Sequence, residues 1–200
     1  MLRRVKEGAS IIDCGCMFAP DLRQLAYEGA PTNKMYGFDI ASGFFDISYK
    51  FYNDKDRFRG RLFAADVFDD NPESPLSQLD GTLDIVWAPK FIHLFDKPTQ
   101  VKVAARLVKL LKPQPGSLFG ASQNGLPEAE EVQLPGGRSA FLGNADTAKE
   151  LWSKVEERTG TRWQFESRLL DLRTIGMHKE DGSEYKKKTG YNLQWTATML

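Results

Sequence analysis

Two hundred residues make one domain's worth of chain, long enough to bury a sizeable core without disulfides or a bound metal. Lys and Arg together number 27, as do Asp and Glu, so no global field steers the protein to nucleic acid or to an anionic membrane surface. No apolar run is long enough to cross a bilayer, and Met1 to Gly8 is too short and too charged for a secretory signal, which leaves a soluble, cytoplasmic domain with a small-molecule partner as the expectation.

Ser10, Ile11 and Ile12 form a short apolar run ending at Asp13-Cys14-Gly15, the form of a central parallel strand buried on both faces. Pro20 opens a helix with Leu22, Leu25 and Ala26 on one side and Gly29 as its stop. A second strand, Met35 to Phe38, ends at Asp39. Ser42 then caps a helix whose inward stripe is read as Phe44, Ile47, Ser48 and Phe51. A third strand, Leu62 to Ala65, ends at Asp66, the prolines and Asn71 of residues 71–75 mark a loop, and Leu83 to Ala88 reads as the fourth strand.

Asp96 and Pro98 start the clearest helix, with Val101, Ala104, Ala105, Val108 and Leu111 on one side and Lys112-Pro113 as its end. Ser117 to Ala121 is a fifth strand. The next helix spans Ala145 to Arg158, with Ala148, Leu151, Trp152 and Val155 inward and Gly160 closing it. The period then becomes two: Trp163, Phe165 and Leu169 alternate, as do Tyr191, Leu193, Trp195, Ala197 and Met199, giving an antiparallel terminal pair joined by a charged loop over residues 178–188. The expected fold is α/β, a mostly parallel sheet with helices on both faces and an antiparallel last strand, in one domain over residues 1–200.

Ligands of such sheets bind beyond the carboxyl ends of the strands. After the first strand, Gly15 lets backbone approach a ligand closely, between Cys14 and Cys16. After the second, Asp39 is placed to accept hydrogen bonds from vicinal ribose hydroxyls. After the third, Asp66 can accept from an adenine amino group, with Val67 and Phe68 offering an amide and an apolar face. For Asp39, an acid that merely caps a turn explains the residue equally well. The two cysteines lie too close in an apolar stretch for disulfide geometry, and no further Cys or His stands at metal-ligand spacing, so they read as reduced structural thiols and no metal is expected.

The ordered set Asp13-x-Gly15, Asp39, Ala65-Asp66-Val67-Phe68, Asp84-Ile85-Val86-Trp87 and Leu110-Leu111-Lys112-Pro113 with Gly116 resembles class I S-adenosylmethionine-dependent methyltransferases. Ile12-Asp13-Cys14-Gly15-Cys16, Leu111 to Ser117 and Gly160-Thr161-Arg162-Trp163 resemble, more narrowly, fungal methyltransferases of meroterpenoid and polyketide clusters. The resemblance implies a Rossmann-like seven-stranded sheet with a reversed last strand. It implies S-adenosyl-L-methionine over Asp13, Cys14, Gly15 and Cys16, the ribose on Asp39 beside Ile40, the adenine at Asp66, Val67 and Phe68, and Trp87 in the cofactor wall. The product would be S-adenosyl-L-homocysteine and the acceptor a small molecule methylated on a carboxylate or phenol oxygen.

Two departures stand out. Cys16, Met17 and Phe18 occupy the stretch where the family carries further glycines, so the turn must be shaped differently. The chain also starts almost at its first strand, where the family has helices roofing the acceptor; a second copy in a homodimer is one way to cover such an edge. A lid-less homologue acting as a non-catalytic or partner-dependent cofactor-binding subunit therefore stays open, and a nicotinamide oxidoreductase is disfavoured by the glycine-poor turn. His93, in Lys90-Phe91-Ile92-His93-Leu94-Phe95, is the candidate base, against the alternative that it only packs between aromatic rings. Lys90, Gln123 and Asn124 are weaker candidates to face an acceptor. His178 and the Lys186-Lys187-Lys188 run are read as solvated loop residues.

Overall fold

The computed structural model describes residues 1–134, 137–177 and 190–200; His178, Lys179 and Lys186 to Lys188, with the charged loop expected there, lie outside the described residues. The elements are α1 (Leu2–Lys6), β1 (Ile11–Cys14), α2 (Pro20–Tyr27), β2 (Met35–Asp39), α3 (Gly43–Tyr52), β3 (Arg61–Ala64), β4 (Ile85–Pro89), α4 (Lys97–Val108), β5 (Leu118–Asn124), β6 (Glu130–Leu134), β7 (Arg138–Leu142), α5 (Ala145–Thr159), β8 (Trp163–Asp171) and β9 (Tyr191–Met199). Seven strands form one sheet in the order β3-β2-β1-β4-β5-β9-β8, and β6 with β7 makes a separate two-stranded ribbon. Strands β1, β2, β3 and β4 pair in parallel and β8 with β9 antiparallel, as the apolar runs and the terminal period of two predict. No described helix is long and apolar enough to cross a membrane.

The chain divides into two compact units, residues 1–88 with 106–119 and residues 89–105 with 120–200. In unit 1 every residue of β1 is buried, and Ile11 packs with Val5, Leu22, Leu25, Met35 and Ile85. This places Asp13 and Gly15 at the end of a rigid central strand. At the other end of β1 and β4, Lys112 of the Leu-Leu-Lys-Pro element donates to Asp84 Oδ1 at 2.6 Å, while the amide and hydroxyl of Ser10 donate to Asp84 Oδ2. That element is a strap across the amino ends of the strands, remote from the ligand edge.

Unit 2 is built on α5 and the terminal pair. Asn144 and Thr147 form a reciprocal capping box, Gly160 ends the helix with φ 67°, and Ala148, Leu151, Trp152 and Val155 are the buried stripe, as expected. Trp152 meets Trp163 edge-on at 5.3 Å between centroids and stacks on Phe165 at 5.8 Å, joining α5 to β8.

One expectation needs correction. The α3 stripe is rotated: Ser48 is fully buried, but Ile47 is 56% and Phe51 74% exposed, and Phe45 and Tyr49 pack on the core instead. A short helix, α1, precedes the first strand, which begins at Ile11 as expected. The ribbon β6–β7 lies in a stretch to which the sequence assigned no element.

Candidate functional site

The carboxyl ends of β1, β2 and β3 lie side by side in unit 1, with Asp13 opposite Gly37 and Asp39 opposite Ala64 in the pairing registers. The turn after β1 folds back on β2: the amides of Gly15 and Cys16 both donate to the Phe38 carbonyl, at 2.9 and 3.0 Å, and Gly15 takes φ 69°, which favours glycine. The Met17 amide donates to Asp39 Oδ2 at 3.0 Å, and the Ala41 amide to Asp39 Oδ1 at 3.0 Å. A carboxylate offers about four lone-pair sites, so Asp39 retains acceptors after these two bonds. One strand over, the Asp39 carbonyl takes the Ala65 amide, and Asp66 Oδ1 takes the amide of Phe68 at 2.9 Å in an Asx turn.

Thus Asp13, Cys14, Gly15, Cys16, Asp39 and Asp66 meet at one edge. Val67 is buried beneath it, while Ile40 and Phe68 stand out from it, 75% and 47% exposed. Trp87 of β4, opposite Asp13 in register, donates its indole N–H to Asp21 Oδ2 at 2.6 Å. Asp21 and its neighbour Arg23 escape notice in the sequence, where Pro20 to Tyr27 reads only as an amphipathic helix.

The edge is strongly acidic inside. Asp13 is 1% exposed, its Oδ1 makes no hydrogen bond, and its carboxyl is pushed well above the usual range by burial and then by the charges of Asp21 and Asp39. Burial, with Asp13 nearby, also pushes the thiols of Cys14 and Cys16 up, so both are held as unreactive neutral groups.

His93 belongs to unit 2, in a single helical turn over Ile92–Leu94. It is 8% exposed with Nδ1 unpartnered, and burial, followed by the charge of Lys90, brings its pKa down to about 4. Lys90 is committed elsewhere: its amide donates to the Ser122 carbonyl and its ammonium to Asn124 Oδ1, at 2.7 and 2.6 Å. Gln123 points the other way along β5 and lines a cavity of about 380 Å³ within unit 2, together with Gln100, Phe141, Thr147, Leu193 and Trp195. Gln123 Oε1 is buried without a partner, so this wall offers an acceptor in an otherwise largely apolar chamber.

No protein-family profile matches the chain. It is 38% identical over 183 residues to the O-methyltransferase phiE of a fungal species, covering 91% of this chain and 61% of that protein. It is 35% identical over 187 residues to the methyltransferase adrK of Penicillium rubens, with 91% and 66% covered. To the O-methyltransferase atr3 of Stereocaulon alpinum it is 33% identical, with 82% and 47% covered. The chain thus spans about half to two thirds of the length of these relatives. Among solved structures it is similar to the Burkholderia thailandensis 1,6-didemethyltoxoflavin-N1-methyltransferase, with TM-score 0.66 and 13% identity over 99% of this chain and 76% of that one. It is also similar to the [4+2]-cyclase SpnF, with TM-score 0.64 and 16% identity over 98% and 79%.

Proposed function

We propose, for a chain that belongs with the fungal methyltransferases of the class I fold, that unit 1 binds S-adenosyl-L-methionine and that its methyl group passes to an oxygen of a small secondary-metabolite acceptor. The observation that carries this reading is the buried, unpartnered carboxyl of Asp13 beside Asp21 and Asp39. Burial and acidic neighbours oppose its negative charge, so the ligand that gains most there is a cation. Adenosylmethionine brings a sulfonium and an ammonium beside its carboxylate; a nicotinamide dinucleotide brings a pyrophosphate, which an edge built of Asp13, Asp21 and Asp39 disfavours.

The remaining edge suits the rest of the same molecule. Asp39 has acceptor capacity left for vicinal ribose hydroxyls, with Ile40 exposed beside it. Asp66 is open to an exocyclic amine, over the buried Val67 and against the exposed ring of Phe68. Trp87, fixed through Asp21, walls the site at β4.

When bound, the cofactor supplies an electrophilic methyl on an already cationic leaving group. The protein's part is then alignment, which is worth up to about 7–11 kcal/mol in well-oriented intramolecular reactions. A carboxylate acceptor needs no base. For a phenol, His93 is the candidate contact: its imidazole stays neutral above about pH 4, which suits it to accept a hydrogen bond from the hydroxyl but makes it a weak base toward a phenol of pKa about 10. The oxygen acceptor is read from the sequence relatives phiE and atr3, since the shared fold also carries an N-methyltransferase and a cyclase.

Calorimetric titration of the purified chain with adenosylmethionine, adenosylhomocysteine and NAD in turn tests the reading, followed by turnover on a panel of aromatic carboxylic acids and phenols. Binding of adenosylmethionine, with none of NAD, is expected. Failure to bind it by the folded protein removes the proposal. Binding without methylation of any acceptor would favour the non-catalytic subunit.

A further inference from the structure

The turn after β1 has only one of the glycines that usually shape such turns, yet its backbone is no less bent: Met17 and Ala19 take φ 46° and 49°, flanking Phe18. Side chains with a Cβ adopt that region only where their surroundings impose it. Enclosed against this turn is Arg23. It is 7% exposed, and its Nη1 donates to the Phe18 carbonyl at 2.7 Å, while Nε and Nη2 grip the two oxygens of Asp54 at 2.8 and 3.2 Å. The rings of Tyr52, Phe58 and Tyr49 lie 4.5, 4.8 and 5.3 Å from its guanidinium carbon. A second buried donor, the Ser48 hydroxyl, reaches the same Phe18 carbonyl at 2.9 Å.

Two donors on one carbonyl fix the orientation of that peptide. Two peptides back along the chain, the amide of Met17 is in turn held by Asp39 Oδ2. A continuous chain of contacts therefore runs from Asp54 on the loop after α3, through Arg23 and Phe18, to the carboxylate proposed to hold the ribose. We infer that Arg23 is a positioning residue for the cofactor: a buried guanidinium clamp, anchored on Asp54, that sets by side-chain hydrogen bonds the turn geometry that glycines set elsewhere. This rests on the proposed cofactor site. It also accounts for the rotation of α3, because Ser48, Tyr49 and Tyr52 must face Arg23, which leaves Ile47 and Phe51 outside.

Lysine cannot replace the fork, since an ammonium lacks the planar donors that serve Asp54 and Phe18 together. The test compares Arg23→Lys and Ser48→Ala with Arg106→Lys, which alters a different ion pair of the same unit, to Asp80. In Arg23→Lys the Kd for adenosylmethionine is expected to rise about tenfold with kcat at saturating cofactor within about twofold, and in Ser48→Ala the Kd to rise about threefold. Arg106→Lys is expected to shift the melting temperature without moving the Kd. Amide hydrogen exchange supplies a readout independent of any ligand: Met17 exchanges faster in both turn variants and unchanged in Arg106→Lys. Folded Arg23→Lys protein with wild-type Kd, or with wild-type exchange at Met17, overturns the clamp. Wild-type protein that is folded, protects Met17 and yet binds no adenosylmethionine overturns the functional reading and leaves the turn clamp standing as structure alone.

Discussion

Asp39 and Met17 are joined through a side chain and a backbone: Oδ2 of the aspartate accepts the Met17 amide at 3.0 Å, tying the end of β2 to the turn after β1. Replacing Asp39 by alanine removes this bond, the bond from Ala41 and the proposed ribose acceptor at once. Adenosylmethionine affinity should fall by more than about tenfold, as expected when buried or ligand hydroxyls lose an acceptor. Asp39→Asn keeps one oxygen and should lie between. Calorimetry on both variants decides, and wild-type affinity in Asp39→Ala would refute the ribose assignment.

Asp13 carries a stability cost that the proposed ligand relieves. Its folded pKa is raised above the unfolded value of about 3.8, so the folded state holds a proton that the unfolded state releases as pH rises past that value. The stability it contributes is therefore full below about pH 3.8 and declines as pH climbs toward the folded pKa. Asp13→Asn, neutral at every pH, should raise the melting temperature of the ligand-free protein at pH 7 and weaken adenosylmethionine more than adenosylhomocysteine, which lacks the sulfonium charge. A variant that melts earlier and binds both equally well would show that Asp13 senses no cation.

Gly37 sits in β2 directly under the turn. A Cβ built there lies 2.9 Å from both Cys16 Sγ and Leu62 Cδ2 and 3.3 Å from Cys16 Cβ. Since Cys16 is buried and its amide is already fixed to Phe38, Gly37→Ala should cost about 1–3 kcal/mol of stability by overpacking and displace the turn. Denaturant midpoints measure the first effect and cofactor affinity the second. Unchanged stability would mean that β2 and the turn can separate without penalty.

The strand ends were the legible part of this molecule because buried parallel strands leave continuous apolar runs, and three of the first four runs stop at or beside an acid: Asp13, Asp39 and Asp66. Trp163 to Leu169 and Tyr191 to Met199 were legible for the opposite reason, as each wets one face and so alternates. The ribbon β6–β7 was not, since Glu130, Glu131 and Gln133 are exposed and only Val132 and Leu134 give a rhythm. The α3 stripe misled because hydrophobic spacing assumes an apolar neighbour. The neighbour is a buried arginine, and its need for Ser48 and for tyrosine rings outweighs the burial of Ile47 and Phe51. Arg23 itself was invisible as a site residue, since nothing local in a sequence distinguishes an arginine that is solvated from one that is enclosed.

His93 offers a pH test that needs no substrate. Unfolded, its imidazole titrates near 6.5; folded, burial and Lys90 bring this down to about 4. Between those values the unfolded state takes up a proton that the folded state refuses, so stability is full above about pH 6.5 and drains away as pH falls toward 4, by up to about 3 kcal/mol. His93→Gln should flatten this part of the stability curve, visible as a smaller drop in urea midpoint between pH 7 and pH 4.5 than in the wild type. The same depressed pKa bears on catalysis. If His93 takes the proton of a phenolic acceptor, kcat/KM should show no acidic limb from this residue near pH 6.5, because the base remains free well below it. An imidazole that titrates near 6.5 by NMR in the folded protein would contradict the buried environment on which both expectations depend.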